Sequence, residues 1–295
     1  MEKKQLAVVV AVVGVFCSAA LAGAPLGPPR SLVEHGQWAI NFEYAHEEMD
    51  LWTYGKTSEV AVVGGVLGTW VYGHSVMEVT DLRLNAFFGS LEYGLCDRWE
   101  VFLRLGIADA QDDIRQTNTT AAGDEDTEVL ETYGFDGDYG FAWGAGTKMT
   151  ICQHGDWTFG GVIQVTWLNP DESDLTWSWT NPEDSTDTDA FLGEGDLDLR
   201  QIQAGIGATL DLDSWFLYGG ICWFFMRGEL DFEGSYYDGD LEYYRVEATH
   251  DVDEQSEFGF WAGLGCQLDT AVCFAEGQVF EDYWLIGGGV KIPLP

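Results

Sequence analysis

Basic residues are scarce in this chain. Lys plus Arg total 13 against 50 Asp plus Glu, a formal net charge of -37 over 295 residues. Phosphate binding needs clustered Lys and Arg, so nucleic acid is not an expected partner. Like-charge repulsion disfavours other anionic partners as well. Proline is rare too, 7 residues against 37 glycines, which favours close-packed strands over helical bundles. Beyond the N-terminus no run is long and uncharged enough for a transmembrane helix. Neither a Gly-x-Ser-x-Gly elbow nor a His-Glu-x-x-His run occurs. No ordered EF-hand spacing is visible.

What is abundant is apolar. Aromatics make up 14% and hydrophobic residues 46% of the chain. A disordered acidic chain would be poor in both, so the acid must be segregated from the apolar part. The N-terminus reads as an export address. Lys3 and Lys4 precede the apolar run Leu6 to Phe16, and the small-residue triplet Ala20-Leu21-Ala22 closes it. This layout predicts a signal peptide over 1–22, cut after Ala22. A cut two residues later would leave Pro25 at the new terminus. Phe16 before Cys17 does not match a lipoprotein signal. Residues 23–36 are expected as a short periplasmic segment and 37–295 as the folded body.

That body carries an internal period. Trp38, Trp99, Trp157 and Trp215 recur about every sixty residues, with Cys273 on the same beat. Acidic turns precede them at Asp97-Arg98, Asp156, Asp213-Ser214 and Asp269-Thr270. Each beat opens an alternating run. Trp38, Ile40, Phe42 and Tyr44 oppose Ala39, Asn41, Glu43 and Ala45. Trp157, Phe159, Ile163, Val165 and Trp167 oppose Thr158, Gly160, Gln164 and Thr166. The last run, Trp284 to Leu294, behaves likewise. Side chains alternate across a strand, so period two with one greasy side marks a strand between two unlike environments.

Connections also alternate. Short turns fall near Gly94 to Arg98, Cys152 to Asp156, Asp211 to Ser214 and Leu268 to Val272. Long polar loops are expected near Glu47 to Asp81, Asp109 to Asp138, Asn169 to Gly195 and Gly228 to Glu257, and Glu281 to Asp282 is short. Two strands resist assignment. In Leu82 to Tyr93 the greasy face switches partway, which a β-bulge would repair. Trp215 to Arg227 is apolar on both faces. Val60 to Val71 reads either as an extra hairpin or as a loop over a barrel mouth.

Short turns on one rim and long loops on the other characterise transmembrane barrels. The expected fold is all-β: a closed antiparallel up-and-down transmembrane barrel of about ten strands, with eight to twelve allowed. A bilayer offers no hydrogen-bond partners, so a spanning sheet must close on itself. Trp38, Trp99, Trp157, Trp215 and Trp284 are expected in aromatic belts. A soluble β-sandwich would alternate similarly but leaves the loop asymmetry without a cause.

On these residues, as in Asp97-Arg98-Trp99-Glu100-Val101, the chain resembles the small outer-membrane β-barrel proteins of Gram-negative-type bacteria. The resemblance is architectural and covers nearly all of the mature chain. It implies the bacterial outer membrane as location, with membrane lipid and the barrel-assembly machinery as partners and both termini in the periplasm. Oligomeric state is open. The ending Ile292-Pro293-Leu294-Pro295 departs from the terminal aromatic usual in the class.

Inward positions are expected to include Asn41, Glu43, Glu100, Arg104, Lys148, Gln164, Glu276, Gln278 and Lys291. Both charge signs occur, so a paired network plugging a narrow lumen is the favoured reading, with a structural or adhesive role. A narrow passive porin is the alternative. A surface hydrolase resembling omptins or outer-membrane lipid hydrolases is the third. It would draw on His46, His74 or His250, with Asp251 and Asp253 orienting an imidazole base. No cofactor is expected beyond loosely bound Ca²⁺ or Mg²⁺ at carboxylates such as Asp124, Glu125 and Asp126. Of the 6 cysteines, Cys17 leaves with the signal. An oxidising periplasm permits bridges Cys96–Cys152 and Cys266–Cys273, with connectivity open. Cys222 is expected as a small hydrophobe.

Overall fold

The computed structural model describes residues 24–63, 65–117, 130–171, 173–180, 188–238, 241–281 and 283–294. Among them run twelve strands: β1 (Trp38–Val63), β2 (Val66–Cys96), β3 (Trp99–Thr117), β4 (Leu130–Gly137), β5 (Gly140–His154), β6 (Trp157–Asn169), β7 (Ser173–Thr180), β8 (Thr188–Leu212), β9 (Trp215–Asp238), β10 (Leu241–Gln267), β11 (Val272–Val279) and β12 (Tyr283–Pro293). Every pairing is antiparallel.

The strands make a wall of two storeys. Around the lower storey the order is β1-β2-β3-β5-β6-β8-β9-β10-β11-β12, and β12 pairs with β1 to close a ten-stranded ring. Strands β5, β6, β11 and β12 stop early, and the longer strands continue. Above that level β1 pairs directly with β10, as in Thr53 opposite Val252. The short β4 and β7 bridge β3 to β8. The upper ring is therefore β1-β2-β3-β4-β7-β8-β9-β10, eight strands, also closed. Both storeys are closed rings, although the β4–β7 seam pairs only Gly134–Gly137 with Ser173–Thr176.

The expected long polar loops are corrected by this arrangement, because most of their residues lie in strands. The stretch Val60 to Val71 is the tip of the β1–β2 hairpin, turning between Val63 and Val66. Acid by itself does not mark a loop. Here acidic residues alternate with Val, Tyr and Phe, a pattern that suits a strand wetted on one face. Strand β2 has 31 residues. At roughly 3.3 Å each it runs about 100 Å, against a hydrocarbon core of about 30 Å.

The short-turn rim follows the sequence closely. Asp97-Arg98 joins Cys96 to Trp99, Gly155-Asp156 joins His154 to Trp157, and Asp213-Ser214 joins Leu212 to Trp215. Gly155 sits at φ 60, where a Cβ would be strained. The expected bulge is relocated. Alternation is unbroken from Leu82 to Glu92, and Leu82, Leu84, Ala86, Phe88, Ser90 and Glu92 all point inward. The irregularities fall just above, at Met49/Leu51 and Thr80/Arg83, where Asp81 adopts φ 60 and its N–H donates to Asp50 at 2.9 Å. In β9 the register resolves with Phe216, Tyr218, Cys222, Phe224 and Met226 inward, and Trp215, Leu217 and Ile221 outward.

Each lower-storey strand exposes apolar side chains outward: Phe42, Phe87, Leu103, Phe141, Ile163, Ile206, Ile221, Phe260, Val279 and Ile286, one from each, are all exposed. A soluble protein would not present such a continuous apolar band. The chain forms a closed transmembrane barrel.

Candidate functional site

Three layers fill the interior, and each has its own chemistry. The lowest is ionic. Lys291 of β12 pairs with Glu92 of β2 and, at 3.0 Å, with Glu100 of β3. Arg104, also on β3, donates to Gln164 of β6 at 2.9 Å and lies 3.7 Å from the Glu43 carboxylate. Its guanidinium sits over the Phe102 ring, 4.7 Å from the centroid. Glu43 also accepts from Asn41 at 2.8 Å and Ser90 at 3.0 Å. The Lys148 ammonium lies between the rings of Phe102 and Phe274. Gln278 donates to Glu276 at 2.9 Å. All nine residues expected inward are buried there. Paired, hydrogen-bonded ions are the form in which buried charge is tolerable.

A segment that carried no strand signal runs through this layer. Residues 24–29 are buried in the lumen, a correction to the expected periplasmic segment. Glu276 accepts the N–H groups of Leu26 and Gly27, each at 2.7 Å, and the Tyr218 hydroxyl at 2.9 Å. Glu100 accepts from Leu32 at 2.6 Å and Val33 at 3.0 Å. Gln164 donates to the Ala24 carbonyl at 2.9 Å. Gly27 adopts φ +68, and a Cβ there would come within 2.6 Å of Lys148 Nζ. At Gly160 a Cβ would strike the Pro29 carbonyl. The segment lies off the wall's hydrogen-bond ladder, so its amides need other acceptors. Pro25, Pro28 and Pro29 present no N–H at all, and two luminal carboxylates take the amides of Leu26, Gly27, Leu32 and Val33.

An apolar layer closes the interior above. Met49, Leu51, Leu82, Leu84, Met226 and Leu285 are fully buried in it. Phe224 stacks on Tyr283 at 4.5 Å, and Phe280 adjoins Tyr283 at 4.8 Å.

The third layer, inside the upper ring, holds His250. Its ring nitrogens meet Thr53 Oγ1 at 3.0 Å and Thr57 Oγ1 at 3.4 Å. Burial pushes its pKa down to about 4, against a smaller opposing effect of Asp251. The histidine hydrolase arrangement is not assembled. His46 faces outward, packed edge-on against Trp284 at 4.5 Å. Gly55, opposite His250, lies nine residues beyond His46 on β1, about 30 Å along a strand. Asp251 is exposed on the face opposite His250 because neighbours alternate. The Asp253 side chain lies outside the described residues. His74 is exposed and stacks on Tyr54.

Asp124, Glu125 and Asp126 lie outside the described residues. Among the described ones, no group of three or more His, Cys, Asp or Glu is placed to hold a metal. Both expected disulfides are corrected: Cys96, Cys152, Cys222, Cys266 and Cys273 are free thiols. Cys266 and Cys273 are register partners across the β10–β11 hairpin. Cys96 and Cys152 are exposed on different hairpins, β2–β3 and β5–β6. Trp38, Trp99, Trp157 and Trp215 are all exposed beside the short-turn rim. Trp284 lies towards the opposite end of the lower storey, paired with Glu48.

Several interior residues escaped sequence reading: Glu92, Gln201, Gln203, Tyr218, Trp261 and Glu47. Glu92 shares parity with Ser90 and Phe88, a signal hidden by the apolar start of the strand. Tyr218 lay in the strand whose two faces were equally greasy.

The fold and the filled lumen define an outer-membrane-type β-barrel. Two solved structures are similar to this chain over most of its length. The outer-membrane protease OmpT of Escherichia coli is 10% identical at a TM-score of 0.44, with 92% of this chain and 99% of that one covered. The translocator domain of autotransporter NalP of Neisseria meningitidis is 11% identical at 0.42, with 90% of each covered. No protein-family model and no curated relative matches the chain.

Proposed function

We propose that this chain is exported by a cleaved signal peptide into the bacterial outer membrane. There it serves as a non-conducting barrel that holds the eight-stranded ring beyond the cell surface in a structural or adhesive role. The observation that carries this reading is the filled interior: an ionic network threaded by residues 24–33 beneath a packed apolar layer. A porin needs a continuous aqueous path, and buried Phe224, Tyr283 and Leu285 stand across it. On this reading the short-turn rim is periplasmic, and the exposed tryptophans there meet the headgroups.

The ring's outer face supports a contact role. Two grooves of about 570 and 530 Å³ cross it, and Glu194, Glu233 and Glu247 border both. A cationic surface is the partner that such a face suits.

Purified protein reconstituted in a planar bilayer tests the reading. The expected record is silent between fusion events. Steady ohmic single-channel steps would remove the plugged-barrel reading in favour of the narrow porin.

A further inference from the structure

Two cations face each other at the top of the apolar band. Arg200 of β8 and Arg227 of β9 are register partners. Both point outward, Arg200 half-buried and Arg227 exposed. Opposed residues on one face of a sheet hold their Cβ atoms about 5 Å apart, and like charges there repel. Cations are scarce on this surface. Among the described side chains the outer face and turns carry only Lys56, Arg83, Arg98, Arg200, Arg227 and Arg245. Two of them nevertheless stand directly opposite each other.

Neither enters an ion pair among the described residues, whereas Arg83 lies beside Glu48 and Arg245 beside Glu242. The side chains of Asp253 and Glu254, in the β10 bulge beyond Arg227, lie outside the described residues. The Arg200 guanidinium sits over Trp167, 5.1 Å from the ring centroid, and its Nε is buried without an acceptor. Trp167 in turn stacks on Trp143 at 4.0 Å. This stack holds Arg200 at the level of the two tryptophans. The next outward pair above is Asp198 opposite Glu229, and neither arginine pairs with it.

The height of the pair singles out a ligand. Arg200 and Arg227 each stand twelve residues above the foot of their strand, at Leu212 and Trp215. That is about 40 Å along a strand. At a tilt of about 40° it is about 30 Å of height, the thickness of a hydrocarbon core. Below the arginines the outward face is apolar: Ile202, Ala204 and Ile206 on β8, beside Phe225, Trp223 and Ile221 on β9. Small Ala204 stands between its register partners Ile163 and Trp223 and leaves a shallow lane. The pair therefore sits where acyl chains end and headgroups begin. The anion at that height is a lipid phosphate, which a guanidinium binds through two parallel N–H donors.

We propose that Arg200 and Arg227 together bind the phosphate of one membrane lipid, whose acyl chains lie along Ile202, Ala204 and Ile206. One phosphate between the two guanidinium groups turns their mutual repulsion into a shared attraction. Trp167 fixes one of them in advance, which lowers the ordering cost of binding. That the lipid belongs to the outward-facing leaflet rests on the proposed orientation, whereas the binding itself does not.

Lipid titration of the full chain, folded in neutral-detergent micelles, tests this without reference to orientation. The probes are dioleoyl phosphatidic acid and, at equal content, dioleoyl phosphatidylcholine. Native mass spectrometry counts the lipids retained per barrel. Phosphatidic acid should bind at one site about tenfold or more tightly than phosphatidylcholine. The double variant Arg200→Gln, Arg227→Gln should lose that preference, and Arg245→Gln should keep it. Thermal unfolding gives a second readout. Without anionic lipid, Arg227→Gln should be no less stable than wild type, because a repulsion is removed. With phosphatidic acid the wild-type transition should rise and the variant's should not. Equal retention of the two lipids by wild type overturns the proposal, even if the double variant does not fold. So does an affinity unmoved in that variant. Inorganic phosphate at the same concentration should not displace the lipid; displacement would make this a site for free phosphate and overturn the lipid.

Discussion

Lys291 Nζ lies 3.0 Å from Glu100 Oε1, although 191 residues separate them and the β1–β2 hairpin stands between their strands. The same ammonium holds Glu92. One ammonium on β12 thus bridges two carboxylates contributed by the β2–β3 hairpin.

Lys291→Met should be among the costliest single changes in the lumen. It leaves Glu92 and Glu100 buried without their cation, and breaking a buried pair costs about 3–5 kcal/mol. Urea unfolding in detergent micelles should show the midpoint fall. A midpoint equal to wild type would mean that water reaches the lower lumen.

Glu276→Gln should loosen the luminal segment more than the wall. The amide cannot accept both the Leu26 and Gly27 N–H groups as a carboxylate does. Hydrogen bonds to a charged acceptor contribute about 1.5–3 kcal/mol. Limited proteolysis should nick residues 24–33 faster in the variant, with the barrel core still resistant. Equal protection in both proteins would show that packing, not this carboxylate, retains the segment.

Phe224→Ala should open a cavity in the apolar layer, where Phe224 stacks on Tyr283 and touches Phe280. Loss of a buried Phe costs about 3–5 kcal/mol. Thermal unfolding followed by the folded-to-unfolded gel shift would read it. No shift in the transition temperature would place Phe224 outside the packed layer.

His250 sets a pH dependence for the upper ring. Its folded pKa is lowered to about 4 from 6.5 because burial disfavours the imidazolium. Between those values the unfolded state binds more protons, so stability present above pH 6.5 is lost as pH falls toward 4. His250→Leu should flatten that slope, measured by protease resistance of the ring across the same range. A slope retained in the variant would assign it to other groups.

Thiol titration of the denatured mature protein without reductant should count five thiols, since all five described cysteines are free. A count of three with Cys266 and Cys273 unreactive would mean that the register partners have been oxidised to a bridge.

Much of the wall was legible because period two survives any amount of acid. Trp38 to Ala45 and Trp157 to Trp167 fall on the faces read from them. The length of the strands was not legible. Asp196 and Asp198 look like loop residues, yet they alternate with buried Leu197 and Leu199 in β8. The inward register of Leu82 to Phe88 is not legible from apolar character alone, since both faces of a strand can be greasy. In the middle of this barrel the interior is greasy too.

Sequence by itself determined what is local and periodic: the alternation that makes strands, the two-residue turns with a tryptophan after each, and the parity that sends Glu43, Glu100, Arg104 and Lys148 to one face. These follow from backbone geometry and need no knowledge of neighbours. Tertiary structure alone decided which strands close each ring, that ten become eight above the apolar layer, and that residues 24–33 enter the lumen. Those outcomes depend on contacts between residues hundreds of positions apart, such as Leu26 with Glu276. No local pattern encodes them, because a carboxylate on a strand face carries no mark of the amides that will reach it.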